Sequence, residues 1–149
     1  MPSALLRALA DRHRLPHVDD TNVDAFLVPA QGEPAHAMLF FSGDPGQRAE
    51  TNDVAVVFPE LLAAFKGRLR GAVVCRDAEE KLKARFHAYA FPCLAVTRGA
   101  HPVGVIAKIR DWSEYMEKIE AFLAPDAPLL KATRPQSRDG AAPSQGAGA

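Results

Sequence analysis

The pattern of apolar residues along the chain predicts strands that alternate with helices. Short continuous apolar runs predict the strands, and apolar residues at helical spacing predict the helices. Residues 37–42 are a continuous apolar run of strand length, and residues 71–76 are a second strand of the buried type. This pattern is typical of strands that are covered on both faces. Residues 91–97 and 102–109 predict a hairpin around a short turn that contains Gly99.

Helical spacing of apolar residues predicts a helix between most of these strands. The predicted helices cover residues 3–13, 22–28, 54–65, 78–87 and 112–123. Pro59 falls inside the third, where it removes a backbone hydrogen bond. Glu79 and Glu80 fall in the first turn of the fourth, where the helix dipole favours acids. With a short strand at 17–19, the alternation indicates an α/β fold, a three-layer sandwich with a mixed central sheet.

Composition predicts one domain with a tail. Residues 1–124 are expected to fold together, whereas residues 125–149 are rich in Ala, Pro and Gly and are expected to be disordered. Lys plus Arg and Asp plus Glu both number 18, which argues against nucleic acid as a partner. No apolar run is long enough to span a bilayer, and the N-terminus lacks the features of a signal peptide. We therefore expect a cytoplasmic protein with no membrane insertion.

The residue types that most often carry chemistry are sparse. The histidines, at positions 13, 17, 36, 87 and 101, do not have the spacing of metal ligands, and no nucleotide-binding glycine motif is present. Cys75 and Cys93 are too few for a disulfide framework. We therefore predict neither a metal site nor a cofactor.

A set of residues spread over most of the chain resembles the HyaE/HupG family of [NiFe]-hydrogenase expression and maturation proteins, which have a thioredoxin-like fold. The resemblance covers residues 5–123. It rests on Ser42 with Asp44-Pro45, Glu50, Asp53, Glu60-Leu61-Leu62, Arg85-Phe86, Phe91-Pro92 and Trp112. Thioredoxins carry a C-x-x-C motif after the strand that corresponds to residues 37–42, and this chain has Ser42-Gly43-Asp44-Pro45-Gly46-Gln47 there. The resemblance therefore implies a thioredoxin-like fold without paired-thiol chemistry.

The family resemblance also implies a partner and a place for it. The implied partner is the small-subunit precursor of a [NiFe] hydrogenase, recognised before export and possessing a twin-arginine signal. The fold implies a cis Phe91-Pro92 bond beside which an extended peptide binds. The alternative is that Pro92 only shapes the turn into the next strand.

Three acids and one aromatic residue extend this candidate binding site. Asp44, Glu50 and Asp53 form either an acidic rim for an arginine-rich peptide or ordinary solvated acids, with Asp53 capping the helix that follows it. Trp112 is either an exposed anchor for a partner or a side chain that closes the edge of the core.

The alternative function is enzymatic. A thiol oxidoreductase or a peroxidase-like enzyme would use Cys93, which follows Pro92. By the thioredoxin strand order, Cys75 and Cys93 lie on strands that flank the central one, too far apart to bridge. Buried structural thiols are the interpretation that the sequence favours.

Overall fold

The computed structural model describes residues 15–43 and 50–130. The helix predicted at 3–13, Asp44 and the tail after residue 130 lie outside these residues. Glu50 is described by its backbone only.

The core of the fold is a mixed sheet of five strands. They are β1 (His17–Val18), β2 (His36–Phe41), β3 (Arg70–Val74), β4 (Cys93–Arg98) and β5 (His101–Ala107). The strand order is β1-β3-β2-β4-β5. β3 runs parallel to β1 and to β2, whereas β4 is antiparallel to both β2 and β5. The mixed sheet predicted from the sequence is confirmed.

Within residues 15–43 and 50–130, four α-helices cover the two faces of the sheet. They are α1 (Val23–Leu27), α2 (Glu50–Ala64), α3 (Glu79–Phe86) and α4 (Trp112–Leu123). A single 3₁₀ turn, Arg76–Ala78, precedes α3. Side chains of α2 and α4 share one apolar cluster, and side chains of α1 and α3 share another. The molecule is therefore a three-layer α/β sandwich, as predicted.

The central strand β2 supplies side chains to both clusters. Met38 and Phe40 pack with α2 and α4, while Leu39 and Phe41 pack with α1 and α3. All four are fully buried. Burial of one such side chain stabilises the fold by about 1.5–3 kcal/mol, so β2 contributes to both layers at once.

The helix α2 begins four residues earlier than the pattern predicts. The sequence predicts residues 54–65, whereas the observed helix is Glu50–Ala64, with Pro59 inside it. The Thr51 hydroxyl is fully buried and donates a hydrogen bond of 2.6 Å to the carbonyl oxygen of Ser42. The polar composition of residues 50–53 is typical of a loop. The contact that holds these residues in a helix is made to Ser42, nine positions away, and so leaves no local pattern.

The first residues of the predicted tail contact the sheet. Arg98 donates to the carbonyl oxygen of Pro125, and the backbone N–H of Leu130 donates to that of Pro102 at 2.8 Å. These bonds hold the chain beside the start of β5 up to residue 130. Disorder of the remaining tail stays a prediction.

A close approach between β5 and α4 requires a glycine. A Cβ atom added at Gly104 would overlap the ring of Phe122. We expect Gly104→Ala to destabilise the protein by about 1–3 kcal/mol, because an overpacked core must shift to relieve the overlap. Urea unfolding of the variant measures this.

A double-mutant cycle separates this overlap from a general effect of the substitution. With Phe122→Ala in place, the further cost of Gly104→Ala should be smaller than in the wild-type protein. Equal costs in both backgrounds would show that the Phe122 ring is not the cause.

Candidate functional site

Several chain segments meet at one edge of the sheet. Cys93, the first residue of β4, pairs with Phe41, the last residue of β2, and with Ala107, the last residue of β5. Because β3 runs parallel to β2, Cys75 also follows its strand at this edge. We call this edge, with Ser42–Gly43, Cys75, Phe91–Pro92 and Lys108, the carboxyl edge.

The Phe91-Pro92 peptide bond is cis, as predicted. Pro92 is buried, and its carbonyl oxygen accepts a 2.7 Å hydrogen bond from the backbone N–H of Lys108. The Phe91 ring stacks on Phe41, with centroids 6.0 Å apart and planes 14° apart. This contact directs the half-buried Phe91 ring toward the core.

The structure locates one of the three candidate acids fully. Asp53 is exposed in the first turn of α2. Because α2 already begins at Glu50, Asp53 lies inside the helix, and its predicted alternative role as the helix cap is wrong. Asp44 lies outside the described residues, and the side chain of Glu50 is likewise outside them.

Trp112 begins α4, a few residues after β5 leaves the carboxyl edge. Its side chain is 47% exposed. The preceding turn is anchored by the Tyr115 hydroxyl, which accepts from the N–H of Arg110 at 3.3 Å and donates to the carbonyl oxygen of Lys108 at 3.2 Å. These bonds fix the backbone of the turn that leads to the exposed Trp112.

Sequence reasoning missed the role of Glu79. The helix-dipole argument places this acid in the first turn of its helix, and it is the first residue of α3, but its side chain is only 4% exposed. One carboxylate oxygen accepts hydrogen bonds from the backbone N–H of Gly43 at 3.1 Å and from the Ser42 hydroxyl at 3.4 Å. The other lies 3.5 Å from the Arg76 guanidinium.

Ser42, Thr51 and Glu79 together form a small buried polar cluster under the carboxyl edge. Each is at most 3% exposed. Thr51 donates to the carbonyl oxygen of Ser42 from α2, while Glu79 accepts from Ser42 and Gly43 from the side of α3. We call these three residues the polar clamp. No local sequence pattern signals it, because its members are far apart in the chain.

Burial raises the pKa of Glu79 above its ordinary value of 4.5, although the hydrogen bonds from Gly43 and Ser42 and the charge of Arg76 oppose the shift. The folded state therefore holds the Glu79 proton more tightly than the unfolded state does. The stability that this provides is fully present below the unfolded pKa and is lost as the pH rises through the folded pKa.

This linkage predicts a pH-dependent difference between wild type and Glu79→Gln. The wild-type free energy of unfolding, minus that of the variant, should be largest below the ordinary pKa of 4.5 and should decline as the pH rises through the raised pKa of Glu79. Urea unfolding at a series of pH values measures it. A difference that rises with pH would contradict the assignment. Glu80→Gln is the matched control because the Glu80 side chain is exposed, and it should not reproduce the decline.

Neither cysteine has the surroundings of a reactive thiol. Cys93 is fully buried, and its pKa is raised to about 12, chiefly by burial and further by the Glu79 carboxylate. Cys75 is half-buried, and burial is also the main cause of its raised pKa. A catalytic cysteine needs the opposite, a lowered pKa with access to solvent.

We therefore expect Cys93 to resist alkylation in the folded protein. In a Cys75→Ser variant, iodoacetamide should modify Cys93 slowly at pH 8, because both burial and the lack of thiolate oppose the reaction. Unfolding in urea should make the reaction fast. Rapid modification of the folded variant at neutral pH would overturn this assignment.

A groove of about 550 Å³ opens at the opposite end of β3. Leu15, Pro16, Ala25, Phe26, Val28, Ala30, Glu33, Arg70 and Gly71 line it. The guanidinium group of Arg70 in this groove donates hydrogen bonds to the carbonyl oxygens of Phe26 and Pro34, and it lies over the Phe26 ring. The charge in this groove thus stabilises the fold. The carboxyl edge is the better candidate site.

Within residues 15–43 and 50–130, no group of three or more His, Cys, Asp or Glu side chains is placed to hold a metal ion. No helix in those same ranges is long and apolar enough to cross a membrane.

Comparison with known proteins decides the family. The family model described as Hydrogenase-1 expression protein HyaE matches residues 5–115. The chain belongs to this HyaE family. The resemblance found in the sequence is thereby confirmed.

Similar proteins agree with this assignment. The hydrogenase expression/formation protein HupG of Rhizobium leguminosarum bv. viciae is 65% identical over 130 residues, which cover 87% of each chain. HupG of Bradyrhizobium diazoefficiens is 48% identical over 112 residues, covering 75% of this chain and 76% of that one. A crystal structure described as HupG from Rhodopseudomonas palustris superposes with a TM-score of 0.52 at 45% identity. It covers 72% of this chain and 94% of that one.

Membership of the HyaE family gives the protein a role in hydrogenase expression and maturation.

Proposed function

We propose that this protein is a non-enzymatic maturation chaperone that binds the small-subunit precursor of a [NiFe] hydrogenase in the cytoplasm, before export. Family membership is the observation that carries the proposal. Holding a subunit during assembly requires a binding surface and no chemistry at the chaperone itself. The inaccessible, high-pKa thiol of Cys93 supports this function over the alternative of a single-cysteine oxidoreductase or peroxidase.

The carboxyl edge is the surface that we propose for binding. An extended segment of the precursor would lie beside Phe91-Pro92, where main-chain hydrogen bonds give affinity and side chains give selectivity. Trp112 follows Lys108 of this edge by four positions in the sequence and is half exposed. It would contact apolar side chains of the subunit. Other maturation factors could share this surface in turn.

The twin-arginine signal of the precursor is the segment that we assign to the acids. Asp53 is exposed in the first turn of α2, Glu50 is the first residue of that helix, and Asp44 precedes the helix in the sequence. Guanidinium groups form charge-assisted, bidentate hydrogen bonds with carboxylates. Because exposed pairs of this kind are individually weak, they would mainly select the signal and speed its association.

Capture of the small subunit tests the proposal directly. The full-length protein, immobilised, should retain the small-subunit precursor, and removal of the signal segment should reduce the amount retained. Equal retention of both forms would show that the protein binds the mature part of the subunit and not its signal segment. Failure to retain either form would refute the proposed function.

Two substitutions test the surface. Trp112→Ala should weaken binding of the precursor by about tenfold or more, as loss of an interface anchor does. Asp53→Lys should weaken it most strongly at low salt, because screening is then smallest. Titration calorimetry at two salt concentrations measures both effects.

Each substitution has a control at the other end of the molecule. Val28→Ala shortens an exposed apolar side chain beside the opposite groove, and Asp126→Lys reverses an exposed acid beyond the end of α4. Neither control should change the affinity. If Asp53→Lys bound as wild type at low salt, the acidic-rim part of the proposal would be wrong.

A further inference from the structure

The polar clamp connects the first turn of α2 to the end of β2, which lies beside the cis bond. The Thr51 hydroxyl reaches the carbonyl oxygen of Ser42 at 2.6 Å and so fixes the first turn of α2 against the end of β2. Asp53 follows two residues later in the same turn. Since Phe41 pairs with Cys93, the end of β2 also lies beside Pro92. Thr51 therefore sets where Asp53 lies relative to the cis bond.

Glu79 binds the residues that follow β2 from the opposite face of the sheet. Its carboxylate accepts the N–H of Gly43 and the hydroxyl of Ser42. The N–H and C=O groups at this strand end have left the sheet, and buried backbone groups without partners destabilise a protein. The clamp satisfies them with side chains from two helices, which lie in the two different outer layers.

A buried carboxylate is a costly way to satisfy one backbone N–H, because burial opposes its charged form. A charged acceptor binds an N–H more strongly and more directionally than a neutral one does. The stronger hydrogen bond offsets the cost of burying the carboxylate where binding depends on the exact position of the backbone. Sites that recognise a ligand depend on such supporting contacts behind the residues that touch it.

We propose that Thr51 and Glu79 are positioning residues for the peptide-binding edge. They act through Ser42 and Gly43 and contact no ligand themselves. Their hydrogen bonds keep the first turn of α2 and the end of β2 in the arrangement that the hydrogenase precursor recognises. The inference rests on the function proposed above and adds the residues on which the geometry of that surface depends.

The neighbours of Glu79 define what a pH titration would report. Arg76 faces its carboxylate from the 3₁₀ turn. The Cys93 thiol on β4 and the Cys75 thiol after β3 are the titratable groups across from it, and the pKa of each is raised. Burial therefore keeps both thiols neutral to a higher pH than ordinary thiols. Protonation of Glu79 removes the charge that strengthens its bond to Gly43.

The test compares variants in precursor binding and in stability. Thr51→Val removes a buried hydrogen bond, and Glu79→Gln removes the charge that strengthens the bond from Gly43. Each should weaken binding of the small-subunit precursor by about tenfold, the change expected for loss of one such interaction. Thr97→Val is the matched control for Thr51→Val. The hydroxyl of Thr97 is also fully buried and has no hydrogen-bond partner within the described ranges, so its removal should leave binding unchanged.

A destabilised but distant variant separates positioning from general loss of stability. Gly104→Ala disturbs the packing of β5 on α4, and it should retain wild-type affinity at temperatures where it is folded. If Thr51→Val and Glu79→Gln lose no more affinity than Gly104→Ala does, the positioning role is refuted.

A pH profile supplies a readout that a merely structural role would not change. The affinity of the wild-type protein should fall as the pH is lowered through the raised pKa of Glu79, while Glu79→Gln should lack this component. Identical profiles for the two proteins would refute the inference.

A measurement without ligand keeps this inference distinct from the proposed function. In the free protein, the amide proton shift of Gly43 should titrate with Glu79 and should not do so in Glu79→Gln. A Gly43 shift that does not titrate would overturn the clamp itself. If Gly43 titrates but the wild-type protein fails to bind the precursor, the proposed function and the binding role of the clamp are refuted, while its geometry is upheld.

Discussion

Complete burial of β2 on both faces is the constraint on which the rest of this structure depends. A strand whose every side chain from Ala37 to Phe41 is buried needs a layer of helices above it and another below. It also needs strands on both sides to pair its backbone, and β3 and β4 supply these. The chain must then leave the core at the end of β2, where the backbone no longer has a strand partner but is still buried at Ser42.

That exit point explains the chemistry of the carboxyl edge. In thioredoxin-like proteins the thiols follow this strand, and here the place is taken by Ser42 and Gly43. Their buried polar groups are bound by Thr51 and Glu79. Polar contacts thus occupy the position that paired thiols hold in thioredoxins. The remaining thiol, Cys93, is next to Pro92 but buried beneath this edge, and its pKa of about 12 is far from that of a nucleophile.

The membership of the HyaE family and this geometry complement each other. The family provides the process, hydrogenase maturation. The structure provides a cis bond at the carboxyl edge, an exposed Asp53 in the first turn of α2 and an exposed Trp112 at the start of α4. The acid and the ring lie on different helices, α2 and α4, which pack in the same outer layer. Their separation is therefore set by the core, since the two helices share one apolar cluster.

Local patterns in the sequence were sufficient for most of the fold. The cis Phe91-Pro92 bond was expected from the family resemblance and not from a local pattern. Continuous apolar runs identify β2 and β3 as buried strands, and helical spacing predicts α4 with its observed ends. These features depend on neighbouring residues, so the chain itself encodes them. The start of α2 and the burial of Glu79 were decided only by the tertiary structure. Both depend on hydrogen bonds to Ser42 and Gly43 from residues 9 to 37 positions away, and no local pattern of polarity reveals whether an acid or a hydroxyl will meet a buried strand end.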